Sequence, residues 1–271
     1  MCNACVIENV RQQAQSRRSF LARSAAAGAA ALAASVVSAR ETLAQSSGKV
    51  VDLTHTFDEN FPTFDGKPGI EMEKVVDFKT NGYTIYKLTI FEHSGTHIDA
   101  PLHFTADGTS VADLAPENLV CPLCILDIKA RAKEDPNAMV TKADIDAWVS
   151  ANGAIPKGAC VAMNSGWSAK VGEPGYRTLP DGKFAFPGFS KEAVDLLAEA
   201  GAAAIAVDTL SLDPGSSQDF IVHNTWLPGG RYGIENVANL DLLPVKGATL
   251  FVGAPKHRGG TGGPARVMAT F

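Results

Sequence analysis

Short apolar runs separated by stretches rich in glycine, proline and small polar residues set the rhythm of this chain, and that rhythm predicts an α/β fold. Residues 49–54 read as a strand. Residues 83–91 alternate polar and apolar side chains well enough to form another. The apolar runs over 119–128, 159–164 and 203–207 predict strands covered on both faces, and 248–253 and 265–270 complete a sheet. Two helices have recognisable starts. Thr141, followed three positions later by Asp144, resembles a capping box opening a helix over 141–151, and Ser190 is placed to cap a second helix running through Ala200.

Between these elements the pattern breaks in informative places. Residues 169–188 carry three prolines and four glycines, too long a stretch for a mere connector, and are expected to form a lid or pocket wall. Residues 208–215 make a polar loop at the end of a strand, a position where function often resides. His223 and Glu235 follow, twelve positions apart across the turn Pro228-Gly229-Gly230. The glycine-rich run 259–263 lacks the Gly-Lys-Ser/Thr ending of a phosphate loop and reads as a flexible turn near the pocket.

The strand ending near Phe91 delivers the chain into His93-Ser94-Gly95-Thr96-His97-Ile98-Asp99-Ala100-Pro101-Leu102-His103-Phe104, where three of the six histidines lie. Neutral imidazoles with a carboxylate are a ligand set for divalent zinc or manganese. His93, His97, Asp99 and His103 all occupy odd positions, so a strand would point them to one face, but ten residues of strand span roughly 33 Å, too far for one ion. In a helix His93 and His97 would stack, whereas Asp99 would point about 200° away from His97. The segment must bend, and Gly95 and Pro101 permit or impose the bends.

Charge and composition narrow the partners. Ser16-Arg17-Arg18-Ser19-Phe20-Leu21 precedes an alanine-rich stretch and Ser38-Ala39, which together read as a cleavable twin-arginine export signal over residues 1–39. The uncharged stretch between Arg23 and Arg40 is sixteen residues, short of the roughly twenty strongly apolar residues of a membrane span. Residues 40–271 are expected to form one domain that is periplasmic or secreted. Beyond residue 39 there are 20 basic and 28 acidic side chains, a formal charge of −8, which argues against nucleic acid as a partner. Cys121 and Cys124 form a C-x-x-C inside an apolar strand and Cys160 lies in a similar apolar run, and there cysteine behaves as a small hydrophobe.

The run His93-x-Gly95-Thr96-His97-x-Asp99-x-Pro101-x-His103-Phe104 resembles the signature of the metal-dependent cyclase family, which includes the bacterial kynurenine formamidases. The similarity extends through Asp52-Leu53-Thr54-His55, Ser165-Gly166-Trp167, Phe186-Pro187-Gly188-Phe189-Ser190, Val207-Asp208-Thr209 and the closing glycine loop. This resemblance implies a swivelling β/β/α single domain with one or two zinc or manganese ions. By it, His93, His97 and Asp99 are the ligands of a first metal, His223 binds a second, Asp99 and Glu235 bridge, and His103 donates and accepts the proton. Phe64 matches a position where formamidases of the family place a stacking tryptophan. Phe64 and Trp167, with Phe61 and Trp226, are expected to wall a pocket for a flat or aromatic substrate.

The function implied is an arylformamidase-like hydrolase that cleaves an amide C–N bond, with N-formylkynurenine as the family's reference substrate. A ring-opening hydrolase of isatin-like lactams or small lactones is the alternative within the family. A non-catalytic periplasmic metal-binding protein is the alternative outside it. A homo-oligomer is expected, because members of the family commonly form dimers or tetramers.

Overall fold

The structure, a computed structural model, describes residues 48–271; the export signal expected over residues 1–39 lies outside them. The elements in chain order are β1 (Val50–Asp52), β2 (Ile70–Val76), α1 (Phe78–Asn81), β3 (Ile85–Ile90), β4 (His97–Asp99), β5 (Val120–Asp127), α2 (Lys129–Glu134), β6 (Met139–Val140), α3 (Lys142–Asn152) and β7 (Cys160–Asn164). These are followed by β8 (Gly188–Phe189), α4 (Lys191–Glu199), β9 (Ala204–Val207), α5 (Ile221–Trp226), β10 (Tyr232–Glu235), β11 (Ala248–Gly253), β12 (Gly262–Pro264) and β13 (Arg266–Thr270). Short 3-10 turns fill several connections, one of them holding Pro101–His103.

Nine strands form one mixed sheet in the order β1-β13-β11-β5-β7-β9-β10-β4-β12. The centre, β5-β7-β9-β10, is parallel, and both flanks are antiparallel. Alternation along the central strands divides the core in two. Cys124, Leu126, Val161, Met163, Ile205 and Val207 face the helices, where Ile145, Trp148, Val194, Leu197, Val222 and Trp226 cover them. Cys121, Leu123, Ile125, Cys160, Ala162, Ala204 and Ala206 face the other way, into a core closed by Ile98, Tyr232, Leu250 and Val267. The small residues of β7 and β9 on that side let the sheet curl. It curls until Thr54, just past β1, bridges Val237, just past β10.

The predicted strands and helices are present within a residue or two of their expected bounds. Ser190 Oγ accepts from the Ala193 amide, and the Thr141–Asp144 capping box forms, with Asp144 Oδ2 accepting from the Thr141 amide at 2.7 Å. Cys121, Cys124 and Cys160 are free and buried, and burial pushes their thiols up, Cys124 to about 11, so they remain protonated packing groups. Six strands, β2, β4, β6, β8, β10 and β12, and the helices α1, α2 and α5 were not expected. The glycine-rich run 259–263 is therefore not a free turn: its second half is β12, paired to β4 at the end of the sheet.

Replacing Thr141 with alanine removes one half of the capping box, and we expect a loss of about 1 kcal/mol in unfolding free energy. Urea denaturation followed by circular dichroism measures it. An unchanged midpoint would show that Asp144 alone satisfies the helix start.

Candidate metal centre

The pairing of β4 with β10 builds the site. In this antiparallel pair Glu235 lies opposite His97 and Gly233 opposite Asp99, so the two β4 ligands and the carboxylate of β10 share one face of the sheet. His97 Nε2 stands 3.3 Å from Asp99 Oδ1 and 3.3 Å from Glu235 Oε2. His223 enters from α5, with Nε2 3.2 Å from Glu235 Oε1 and 3.7 Å from Asp99 Oδ2. His93 stands in the bend before β4, where its Nδ1 meets Asp99 Oδ1 at 2.6 Å. His103, in the 3-10 turn after β4, stacks on His93 with ring centroids 3.7 Å apart. All six residues singled out in the sequence thus converge, and the bend at Gly95 that permits it has φ +65°.

Three of the four imidazoles, those of His93, His97 and His223, are held by a partner on the side away from the centre. Gly95 O accepts from His97 Nδ1 at 2.9 Å, leaving Nε2 to face inward. Asp213 Oδ2 takes His223 Nδ1 at 2.6 Å, and the same carboxylate accepts from the Val222 and His223 amides at the start of α5. The Thr261 hydroxyl donates to Glu92 Oε2 at 2.5 Å, which leaves it to accept from His93 Nε2 at 2.8 Å. Nδ1 of His93 is then the nitrogen that faces Asp99. Glu92 is itself steadied by His257 Nε2 at 2.5 Å and by the Thr261 amide at 3.2 Å.

The centre is shaped for a cation. Asp99, Glu235, His97 and His223 are all at most 5% exposed, yet His97 Nε2 and Asp99 Oδ2 have no hydrogen-bond partner. Ligand atoms of His97, Asp99 and Glu235 lie within 4.8 Å of one another, as do those of His93, Asp99 and His103. Two buried carboxylates facing each other are costly unless positive charge lies between them. Without an ion, protons supply it. Burial opposes charge on His97, but Asp99 and then Glu235 outweigh it and lift the imidazole to about 10. Burial likewise opposes charge on His223, and Asp213, Asp99 and Glu235 raise it well above its ordinary value. The donor set, imidazole nitrogens with carboxylate oxygens, suits zinc or manganese alike.

His103 differs from its neighbours. Burial pushes its imidazole down to about 4; Asp99 pulls the other way, while His93 and His223 add to the depression. It is neutral near pH 7 and able to take a proton.

Beside these groups lies a cavity of about 260 Å³ lined by Phe64, Phe104, Phe220, Leu210, Ser211, Asn236 and the site's histidines and Glu235 among others. Phe64 faces it as expected and is backed by Phe184, stacked at 4.6 Å, a residue of the irregular 169–188 stretch. Trp167, expected to face substrate, is instead 2% exposed behind Phe64, in a cluster with Tyr176, Phe186 and Leu210. Its indole donates to Tyr176 O at 2.8 Å, which holds it in that layer. Phe61 and Trp226 are also buried and line no part of the cavity.

Spacing arguments missed Glu92, Thr261, Asp213 and Asn236. Asn236 donates to Gly95 O at 3.0 Å, and its own carbonyl accepts from the Thr96 hydroxyl at 2.6 Å, so the residue after Glu235 stitches the bent motif to β10. Gly262 was read only as part of a turn. A Cβ there would lie 2.7 Å from His93 Cε1 and 2.2 Å from Ile98 O, so glycine is what lets β12 pass behind His93.

Comparison with known proteins agrees with this geometry. The Cyclase family model matches residues 51–214. This chain belongs to the Cyclase family. It is 28% identical over 241 residues to the isatin hydrolase of Roseibium aggregatum, covering 82% of this chain and 91% of that protein. It is 27% identical over 184 residues to the kynurenine formamidase of Salinibacter ruber, covering 67% of this chain and 77% of that one. The solved isatin hydrolase A from Ralstonia solanacearum superposes with a TM-score of 0.78 at 32% identity, covering 84% of this chain and 94% of that chain. The chain is a cyclase-family hydrolase with a mixed α/β fold, as the His93–Phe104 motif implied.

Two outcomes follow for cation binding. Glu92→Gln and Thr261→Val should each weaken zinc or manganese affinity about 10- to 100-fold in calorimetric titration, with the fold intact by circular dichroism. Affinity should also rise with pH. His97 and His223 hold protons in the ion-free site, and an ion displaces them, so the apparent constant improves up to about tenfold per pH unit for each proton released between pH 6 and 8. A flat profile would mean that neither imidazole is a ligand.

Proposed function

We propose that this chain is an exported, cation-dependent hydrolase that opens a small, flat cyclic amide of the isatin type by cleaving its C–N bond. The observation that carries this reading is the cavity. Its aromatic walls suit a planar ring, and none of its lining residues is lysine or arginine. A substrate with an amino-acid head, such as N-formylkynurenine, would bring a carboxylate and an ammonium needing partners there. A neutral bicyclic lactam would not. The likeness to isatin hydrolases over more than four-fifths of the chain supports the same choice. The twin-arginine motif at Arg17-Arg18 supports action outside the cytoplasm.

His93, His97, Asp99, His223 and Glu235 are the residues that would hold zinc or manganese. A divalent cation bound there supplies Lewis acidity, acidifying water and stabilising negative charge on a carbonyl oxygen. The chain's own groups do the rest. Phe64 and Phe220 press on the ring and fix its plane. His103, neutral and stacked on His93, takes a proton from the attacking water, whose oxygen bonds to the carbonyl carbon. The C–N bond breaks, the nitrogen leaves with the electron pair, and His103 returns the proton to it. The product is an arylamine bearing a free carboxylate.

A second reading, hydrolysis of a linear N-formyl arylamide, is favoured by the likeness to kynurenine formamidases and by Phe64 facing the cavity. Purified protein loaded with zinc or manganese, assayed against isatin and formanilide, separates the two. We expect kcat/KM for isatin to be the higher; the reverse order would overturn the lactam reading in favour of the formamide. His103→Ala should lower kcat about 10²- to 10⁴-fold with cation affinity retained. An undiminished rate would remove His103 from the chemistry, and no turnover of either compound by the loaded protein would return the chain to a metal-binding role.

A further inference from the structure

The irregular stretch 169–188 does more than back Phe64, because it also sends one side chain into the interior toward the metal centre. Tyr176 is 1% exposed and packs with Trp167, Phe186 and Leu210, while its backbone oxygen accepts from the Trp167 indole at 2.8 Å. Ring and backbone are both pinned. Its hydroxyl donates to Asn236 Oδ1 at 2.7 Å. Burial, with Asp208 and Glu235 nearby, pushes the phenol well above its ordinary value, so it keeps the proton it donates.

The side-chain amide of Asn236 has an acceptor end and a donor end, and the two are not interchangeable. With Oδ1 taken by Tyr176, Nδ2 is the end that donates to Gly95 O at 3.0 Å. The same carbonyl accepts from His97 Nδ1 at 2.9 Å, so both of its lone pairs are used. That leaves His97 Nε2 facing Asp99 and Glu235. Were the amide turned over, Oδ1 would meet Gly95 O, acceptor against acceptor, and the carbonyl that steadies His97 would lose its own restraint. The Asn236 backbone cannot adjust to compensate. Its amide is bonded to Thr209 O at 2.9 Å, its carbonyl accepts from Thr96 Oγ1 at 2.6 Å, and its φ of +55° lies in the left-handed region. What remains free is the sense of the side-chain amide, and the Tyr176 hydroxyl sets it.

We propose that Tyr176 is a positioning residue for the metal centre: through Asn236 and Gly95 O, its hydroxyl fixes the His97 imidazole with Nε2 turned toward the ion. This rests on the reading of His97 as a ligand. The next residue along the chain provides a contrast. Arg177 turns the other way, donating from Nε to Phe64 O at 2.8 Å and lying over the Phe184 ring at 4.9 Å. It orders the same stretch of chain, but neither contact leads to Asn236 or His97. Two adjacent residues thus serve two walls, Tyr176 the cation side and Arg177 the aromatic side.

Calorimetric titration with zinc or manganese tests this. Tyr176→Phe, which removes only the hydroxyl, should weaken affinity about 10-fold with circular dichroism unchanged, while Arg177→Met should leave affinity within about twofold. In an Asn236→Gly background, where glycine keeps the left-handed backbone, Tyr176→Phe should cost nothing further, because its path to His97 is already cut. In the cobalt-loaded protein the visible absorption bands, which follow ligand geometry, should shift in Tyr176→Phe and stay in place in Arg177→Met. That readout decides the matter should Asn236→Gly fold poorly. Equal affinity with and without the hydroxyl, losses that add in the double variant, or an equal loss from Arg177→Met would each overturn the proposal alone. A chain that binds neither zinc nor manganese would overturn the ligand reading, and this proposal with it.

Discussion

Two carboxylates are forced into the interior on neighbouring strands, and the rest of the site is arranged around that fact. Pairing of β4 with β10 sets Glu235 opposite His97 and brings Asp99 onto the same face. In a dry interior the two acids repel unless cationic or hydrogen-bonding groups come between them. His97 and His223 are pulled into their charged forms by this field, and the same field suits a divalent ion. The geometry that makes the ion-free site expensive is the geometry a cation would relieve.

Holding such a site open requires support from outside it. Asp213 steadies His223, Gly95 O steadies His97, and the Thr261–Glu92–His257 chain steadies His93. These supports arise from three separate regions of the chain, around residues 92–95, 213 and 257–261, joined by the sheet. The small residues of β7 and β9 pack inside the curl, and glycine at 262 lets β12 pass behind His93, where a methyl group would strike both His93 and the backbone of Ile98. Packing on the far side of the sheet and ligand geometry are thus linked through the backbone.

Neutral His103 among charged neighbours follows from the same logic. It lies close enough to Asp99 to feel its pull, but His93 and His223 push against a further positive charge, and burial adds to that push. One cluster therefore contains imidazoles suited to hold an ion and one suited to move a proton. The aromatic wall of Phe64, Phe104 and Phe220 closes the cavity, with Phe184 and the Trp167 cluster behind it.

The sequence by itself determined the local features. Apolar runs marked the central strands, Thr141–Asp144 and Ser190 marked two helix starts, and the crowding of His93, His97, Asp99 and His103 around Gly95 and Pro101 marked a bent site, because each of these rests on interactions within a few residues. Short strands such as β4, β10 and β12 were not visible in this way. Three or four residues carry too little periodicity, and their pairing comes from partners more than a hundred positions away. The family resemblance had already put His223 and Glu235 with the motif and Phe64 on the cavity wall, but only the tertiary structure shows their contacts and places Trp167 behind that wall. It also decided that Glu92, Thr261, Asp213 and Asn236 hold the ligands in place. Each of those outcomes depends on which distant backbone lies alongside, and that is fixed only when the sheet closes and its two faces are buried.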